Sequence, residues 1–123
     1  MLCLAAGSLS AALALQAFTL AWYHSIEKVR WEEDWRISGP ALVLVEARIR
    51  GTGAGMEPPA GAVLERGVWR YRPDQSPLPR LRLGNSSFVQ GYQLCAGHDC
   101  RPLADHLPGS NNEIVIDLFP CPP

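Results

Sequence analysis

Residues 18–25 alternate Phe18, Leu20, Trp22 and His24 against Thr19, Ala21, Tyr23 and Ser25. That two-residue period is the mark of a half-buried strand. Trp31, Trp35 and Ile37 fit either helical or strand spacing; the stretch 31–37 is taken as a strand pairing back on the first. After a turn at Ser38-Gly39-Pro40, residues 41–50 run almost continuously apolar and then alternate, with Glu46, Arg48 and Arg50 facing one way. This is the clearest strand in the chain. Residues 51–59 carry Gly51, Gly53, Gly55, Pro58 and Pro59, so they form a loop. Residues 62–65 and 68–72 flank Arg66-Gly67 as a hairpin.

Further strands are expected over 81–83, over 88–95 with a bulge at Gly91, and over 113–119, where Ile114, Ile116 and Leu118 share a face. Pro102 suits the start of a short helical turn before Pro108-Gly109. Seven or eight short strands without a long helix predict an all-β fold, a single-domain antiparallel β-sandwich, with an Ig-like arrangement or a small barrel as alternatives.

The hydrophobic N-terminal segment that precedes this domain has no charged side chain up to Tyr23 and is dominated by Leu and Ala to Ala17. Residues 1–17 are expected to be an export signal peptide. Ala12 and Ala14 suit a cleavage site after Ala14, and Leu15 with Ala17 suits a later one less well. A retained membrane anchor is the alternative, since the apolar run is long enough to cross a bilayer core. On this division residues 18–123 form the sandwich domain.

The 123 residues, 47% of them hydrophobic, are enough for one modest core, and a formal charge of -1 with scattered arginines argues against nucleic-acid binding. With Cys3 assigned to the signal, Cys95, Cys100 and Cys121 remain. A Cys95–Cys100 disulfide is expected, with Cys121 left over; a pairing of either one with Cys121 is the alternative. Cys95, His98, Cys100 and His106 are zinc-ligating residue types, but the spacing is not a common finger pattern and an exported chain oxidises its thiols, so no metal and no cofactor are expected.

Aromatic, acidic and imidazole groups are densest between Trp22 and Trp35. The candidate binding residues are Trp22, His24, Ser25, Glu27, Glu32, Glu33 and Trp35, together with Met56. His24, Ser25 and Glu27 have the residue types of a nucleophile, base and orienter, yet neighbours on a strand point to opposite faces. His24 is expected instead to bond Glu32 or Glu33 and fix the hairpin register, with ligand binding second and hydrolysis third. The tryptophans are expected to offer a contact surface. The glycines around Met56 resemble a phosphate-cradling loop only superficially, because no helix and lysine follow. A packed loop plugged by Met56 is expected there, with a partner-docking rim as the alternative.

His24-Ser25 with Glu27, Glu32-Glu33-Asp34-Trp35, Gly53-Ala54-Gly55-Met56, and Leu94-Cys95 with Cys100 together resemble the bacterial domain-of-unknown-function 1850 family. The resemblance covers essentially all of the chain after residue 17. Members are small exported or envelope-associated proteins often encoded beside tripartite ATP-independent periplasmic transporters. The resemblance implies a periplasmic or envelope location and non-catalytic accessory work with a transporter subunit or solute-binding protein. It assigns no catalytic residue. A small-molecule or metal-binding periplasmic domain is the alternative, and a hydrolase the third choice.

Overall fold

A computed structural model describes residues 1–24, 28–51, 59–84, 89–110 and 115–123. Its strands in chain order are β1 Leu2–Ala6, β2 Leu9–Leu13, β3 Ala17–His24, β4 Val29–Ser38, β5 Ala41–Arg50, β6 Val63–Glu65, β7 Val68–Tyr71, β8 Leu81–Leu83, β9 Val89–Ala96, β10 Asp99–Pro102 and β11 Ile116–Pro120. A 3-10 turn, Leu103–His106, follows β10. The strands build two antiparallel sheets, ordered β2-β1-β11-β8 and β10-β9-β3-β4-β5-β7-β6, packed as an all-β sandwich.

The larger sheet grows from the alternation in β3 to β5. Phe18 pairs with Trp35, Leu20 with Glu33 and Trp22 with Trp31, so these six share the inner face. Thr19 with Asp34 and Ala21 with Glu32 share the outer one. A bulge between Asp34 and Trp35 adds Val45 on β5. It keeps Leu42 and Leu44 inward on one side and Ala47 and Ile49 inward on the other, which is why an apolar run gives way to alternation in this strand. The β6–β7 hairpin turns at Arg66 and Gly67, both at positive φ (52° and 79°), the left-handed geometry of a tight two-residue connection.

The core joins Phe18, Leu20, Trp35, Leu42 and Leu94 of the larger sheet to Leu2, Leu4, Ile116 and Leu118 of the smaller one, with Leu103 and Leu107 closing one end. The smaller sheet departs from expectation. Residues 2–13, assigned from sequence to an export signal, are a β-hairpin whose first strand pairs with β11, Leu4 opposite Leu118. Leu2 and Leu4 are fully buried. Small side chains on the other face, Cys3 and Ala5, make the strand look like an unbroken apolar run.

The Cys95–Cys100 disulfide is present, and it spans directly opposed residues of β9 and β10. Cys121 is not left over: it bridges Cys3, 118 positions away, and its backbone N–H donates to the Met1 carbonyl at 3.0 Å. With both thiols of the 95/100 pair oxidised, the zinc alternative loses its thiolate ligands. Two disulfides are compatible with an oxidising, extracytoplasmic compartment. Among the described residues no helix is long and apolar enough to cross a membrane.

Candidate functional site

Neighbours in the Trp31-Glu32-Glu33-Asp34-Trp35 stretch alternate sides of β4, so the acidic cluster divides between two surfaces with opposite chemistry. On the outer face, Glu32 accepts hydrogen bonds from Arg30, Arg48 and Arg50, each at 3.0 Å. Asp34 accepts two from Arg48, at 2.6 and 2.8 Å, and one from the Thr19 hydroxyl at 2.7 Å. Glu46 accepts from Arg48 at 3.1 Å and from Arg70 at 2.8 Å. Arg48, with a side chain only 12% exposed, is the hub of this network.

Register explains the network: Glu32 faces Arg48 and Asp34 faces Glu46 across β4 and β5, while Arg48 faces Arg70 on β7. Opposite charges therefore meet directly or on the diagonal. Burial opposes the charge on Glu32, but hydrogen bonds from Arg30 and Arg48 and the charges of Arg50 and Arg48 outweigh it and hold the carboxyl below its usual range. The Arg48 hydrogen bonds lower Asp34 against its burial, with Thr19 adding to the effect. Hydrogen bonding to Asp34 in turn raises Arg48 despite its burial.

The inner face is aromatic. The Trp22 and Trp31 rings are offset and nearly parallel, with centroids 6.3 Å apart and planes 13° apart. Tyr92 leans on Trp22 at 5.7 Å. Glu33 stands between Trp31 and Trp35 along β4, with Leu20 on one side and Ala47 on the other, and Tyr71 pairs with Ala47 beyond. Its hydrogen bond comes from a neutral donor, Trp35 Nε1 at 3.3 Å. Burial raises the Glu33 carboxyl above its usual range, and the Trp35 bond offsets this only in part. Tyr71 and Tyr92 are raised as well, by burial first and then by the nearby Glu33 charge. Trp31 Nε1 is buried with no hydrogen-bond partner.

The sequence-predicted residues separate accordingly. Trp22 and Glu33 come together on the inner face, whereas Trp35 is 4% exposed and belongs to the core rather than to a contact surface. Glu32 lies on the opposite face. His24 pairs with Val29 and Val89 at the end of β3, while Glu32 and Glu33 lie opposite Ala21 and Leu20. Ser25, Glu27 and Met56 lie outside the described residues, as do the glycines expected to form the loop around Met56. Sequence reasoning missed Arg48, Arg50 and Arg70 as partners of the acids, and Tyr71 and Tyr92 as walls of the aromatic face. The alternation of Glu46, Arg48 and Arg50 beside an acidic strand carried the first signal, and that of Trp69 and Tyr71 the second. Among the described residues no three His, Cys, Asp or Glu side chains gather to hold a metal ion.

The family model described as Domain of unknown function (DUF1850) matches residues 18–103, more than half of the chain. The match begins within β3 and runs past β10, so it takes in every strand of the larger sheet and leaves β1, β2 and β11 outside. The comparisons with curated proteins and with solved structures return no match.

Proposed function

The chain belongs to the Domain of unknown function (DUF1850) family, and from that premise we propose that it is a non-catalytic periplasmic or envelope protein, an accessory of a tripartite ATP-independent periplasmic transporter. The observation that carries the non-catalytic part is the state of the outer-face carboxylates. A general acid or base must exchange a proton with its substrate, yet Glu32, Asp34 and Glu46 are each bonded to at least one arginine. The remaining half-buried acid of this cluster, Glu33, has no nucleophile or imidazole bonded to it among the described residues; its bond is to an indole.

The outer face of the larger sheet suits docking. Arg50 and Arg70 keep side chains 49% and 42% exposed while their guanidinium groups stay anchored by Glu32 and Glu46. Tyr23, 51% exposed, pairs with Arg30 on β4, which in turn pairs with Arg50 on β5. Arginine and tyrosine are enriched at protein interfaces, and an anchored arginine loses less side-chain freedom on association than a free one. The transporter as partner follows from the company that family members keep, and the disulfides support the compartment.

Mild crosslinking in envelope extracts followed by capture of the tagged protein tests this. Transporter or solute-binding subunits are expected to co-purify with the wild type and to fall away with Tyr23→Ala combined with Arg50→Ala. Their absence from the wild-type capture, or equal capture by the folded double variant, argues against the proposal.

A further inference from the structure

Glu33 is set apart from the other half-buried or buried acids among the described residues. Glu32, Asp34, Glu46 and Asp117 each accept hydrogen bonds from one or more arginines. Glu33 accepts from an uncharged indole and has no cationic partner among the described residues. The arginines responsible for the outer network project from the opposite side of the same sheet, so the register that satisfies Glu32 and Asp34 withholds a cation from Glu33. A carboxylate left this way destabilises the fold at neutral pH, since ionisation at a half-buried site without a counter-charge is unfavourable. Function is a reason to keep it.

The surroundings specify the missing cation. Trp31 and Trp35 flank Glu33 on its own strand, and Trp22 stacks on Trp31. Tyr71 pairs with Ala47, which pairs with Glu33, so the three share one face of the sheet. Tyr92 backs Trp22. The charge of Glu33 acts on both tyrosines, which places all three groups within electrostatic reach of one another. A metal ion requires several oxygen or nitrogen ligands and finds one carboxylate. A primary ammonium requires hydrogen-bond acceptors, which ring faces supply poorly. A methylated ammonium carries its charge on a weakly hydrated apolar surface and is attracted to the faces of Trp and Tyr.

We infer that Glu33, on the sheet face it shares with Trp22, Trp31, Tyr71 and Tyr92, binds a small molecule bearing a methylated ammonium group. This site is on the face opposite the proposed docking surface and is independent of the transporter partnership: it is read on the isolated protein, so either can fail without the other.

The test is calorimetry and thermal shift on the full chain with choline, beside 3,3-dimethyl-1-butanol, which has the same shape without the charge. Choline is expected to bind and to raise the melting temperature. The neutral isostere and the Glu33→Gln variant are each expected to lose about tenfold or more in affinity, the fold-change that corresponds to ~1.4 kcal/mol. Glu33→Gln keeps the shape and removes the buried charge, so it folds with an undiminished melting temperature. Asp99→Asn, an exposed change on β10, keeps wild-type affinity. Absence of binding at about 10 mM choline, where a ligand with a millimolar dissociation constant is already detectable, overturns the inference. Equal binding of the neutral isostere, or unchanged affinity in folded Glu33→Gln, does so as well.

Discussion

Replacing Cys3 and Cys121 together by serine opens a loop closed across 118 positions, while replacing Cys95 and Cys100 opens one closed across 5. In the chain-entropy description the longer bridge restrains the unfolded chain by ~5 kcal/mol and the shorter by ~2 kcal/mol. An unfolding entropy of about 2.1 cal/mol/K per residue turns these into melting-temperature losses of roughly 15–20 °C and about 8 °C for this chain. The longer bridge also ties β1 to the end of β11, where Cys3 pairs with Phe119 and the Met1 carbonyl accepts from Cys121. Its loss therefore frees a hairpin that supplies Leu2 and Leu4 to the core. The assay is thermal unfolding of both double variants and wild type under non-reducing conditions, with peptide mass mapping to verify the bridges. Comparable losses for the two variants, or protein from an oxidising compartment that lacks residues 1–13, would refute the reasoning that this hairpin is part of the mature fold.

Arg48→Met takes from Asp34 the arginine that donates two of its hydrogen bonds, while Glu32 keeps Arg30 and Arg50 and Glu46 keeps Arg70, at a site where the arginine side chain is 12% exposed. Destabilisation of about 3 kcal/mol is expected from breaking a largely buried ion cluster at one partner, measured by urea unfolding. Acid unfolding follows the carboxylates whose pKa is lowered in the fold. Glu32 is lowered by its arginines against its burial, Asp34 by Arg48, and Asp117 by Arg82 and Arg80 against its burial. Their contribution is complete above the unfolded carboxyl range and is lost as pH falls through and below it, so the urea midpoint should drop steeply below about pH 4. Glu33 has the opposite sign. Its raised carboxyl favours the folded state most at low pH and loses that advantage as pH rises through the folded value, so Glu33→Gln should flatten the decline on the neutral side.

The strands most visible in the sequence are those whose two faces differ most in chemistry. β3, β4 and β5 put Phe18, Trp35 and Leu42 inside and Thr19, Asp34 and Arg48 outside, and the β6–β7 hairpin announces itself by Arg66-Gly67. β1 and β2 were hidden for the converse reason. Their solvent-side positions hold Cys3, Ala5, Ser10 and Ala12, small uncharged residues that make a sandwich strand compositionally the same as the core of a signal peptide. Cys121 then lost its partner by assignment rather than by geometry. At the candidate site, residue types were legible but faces were not resolved. Glu32 and Glu33 read as one acidic pair, although adjacent strand positions face apart, and the arginines that claim Glu32 lie 16 and 18 positions away on β5.

The division of that pair is the claim on which both proposed surfaces depend, and carboxyl carbon chemical shifts of Glu32 and Glu33 followed by NMR across an acid titration test it directly. Glu32 should titrate below the ordinary glutamate range and Glu33 above it. Coincident titrations, or the reverse order, would contradict the assignment of one carboxylate to an arginine network and its neighbour to an aromatic face without a counter-ion.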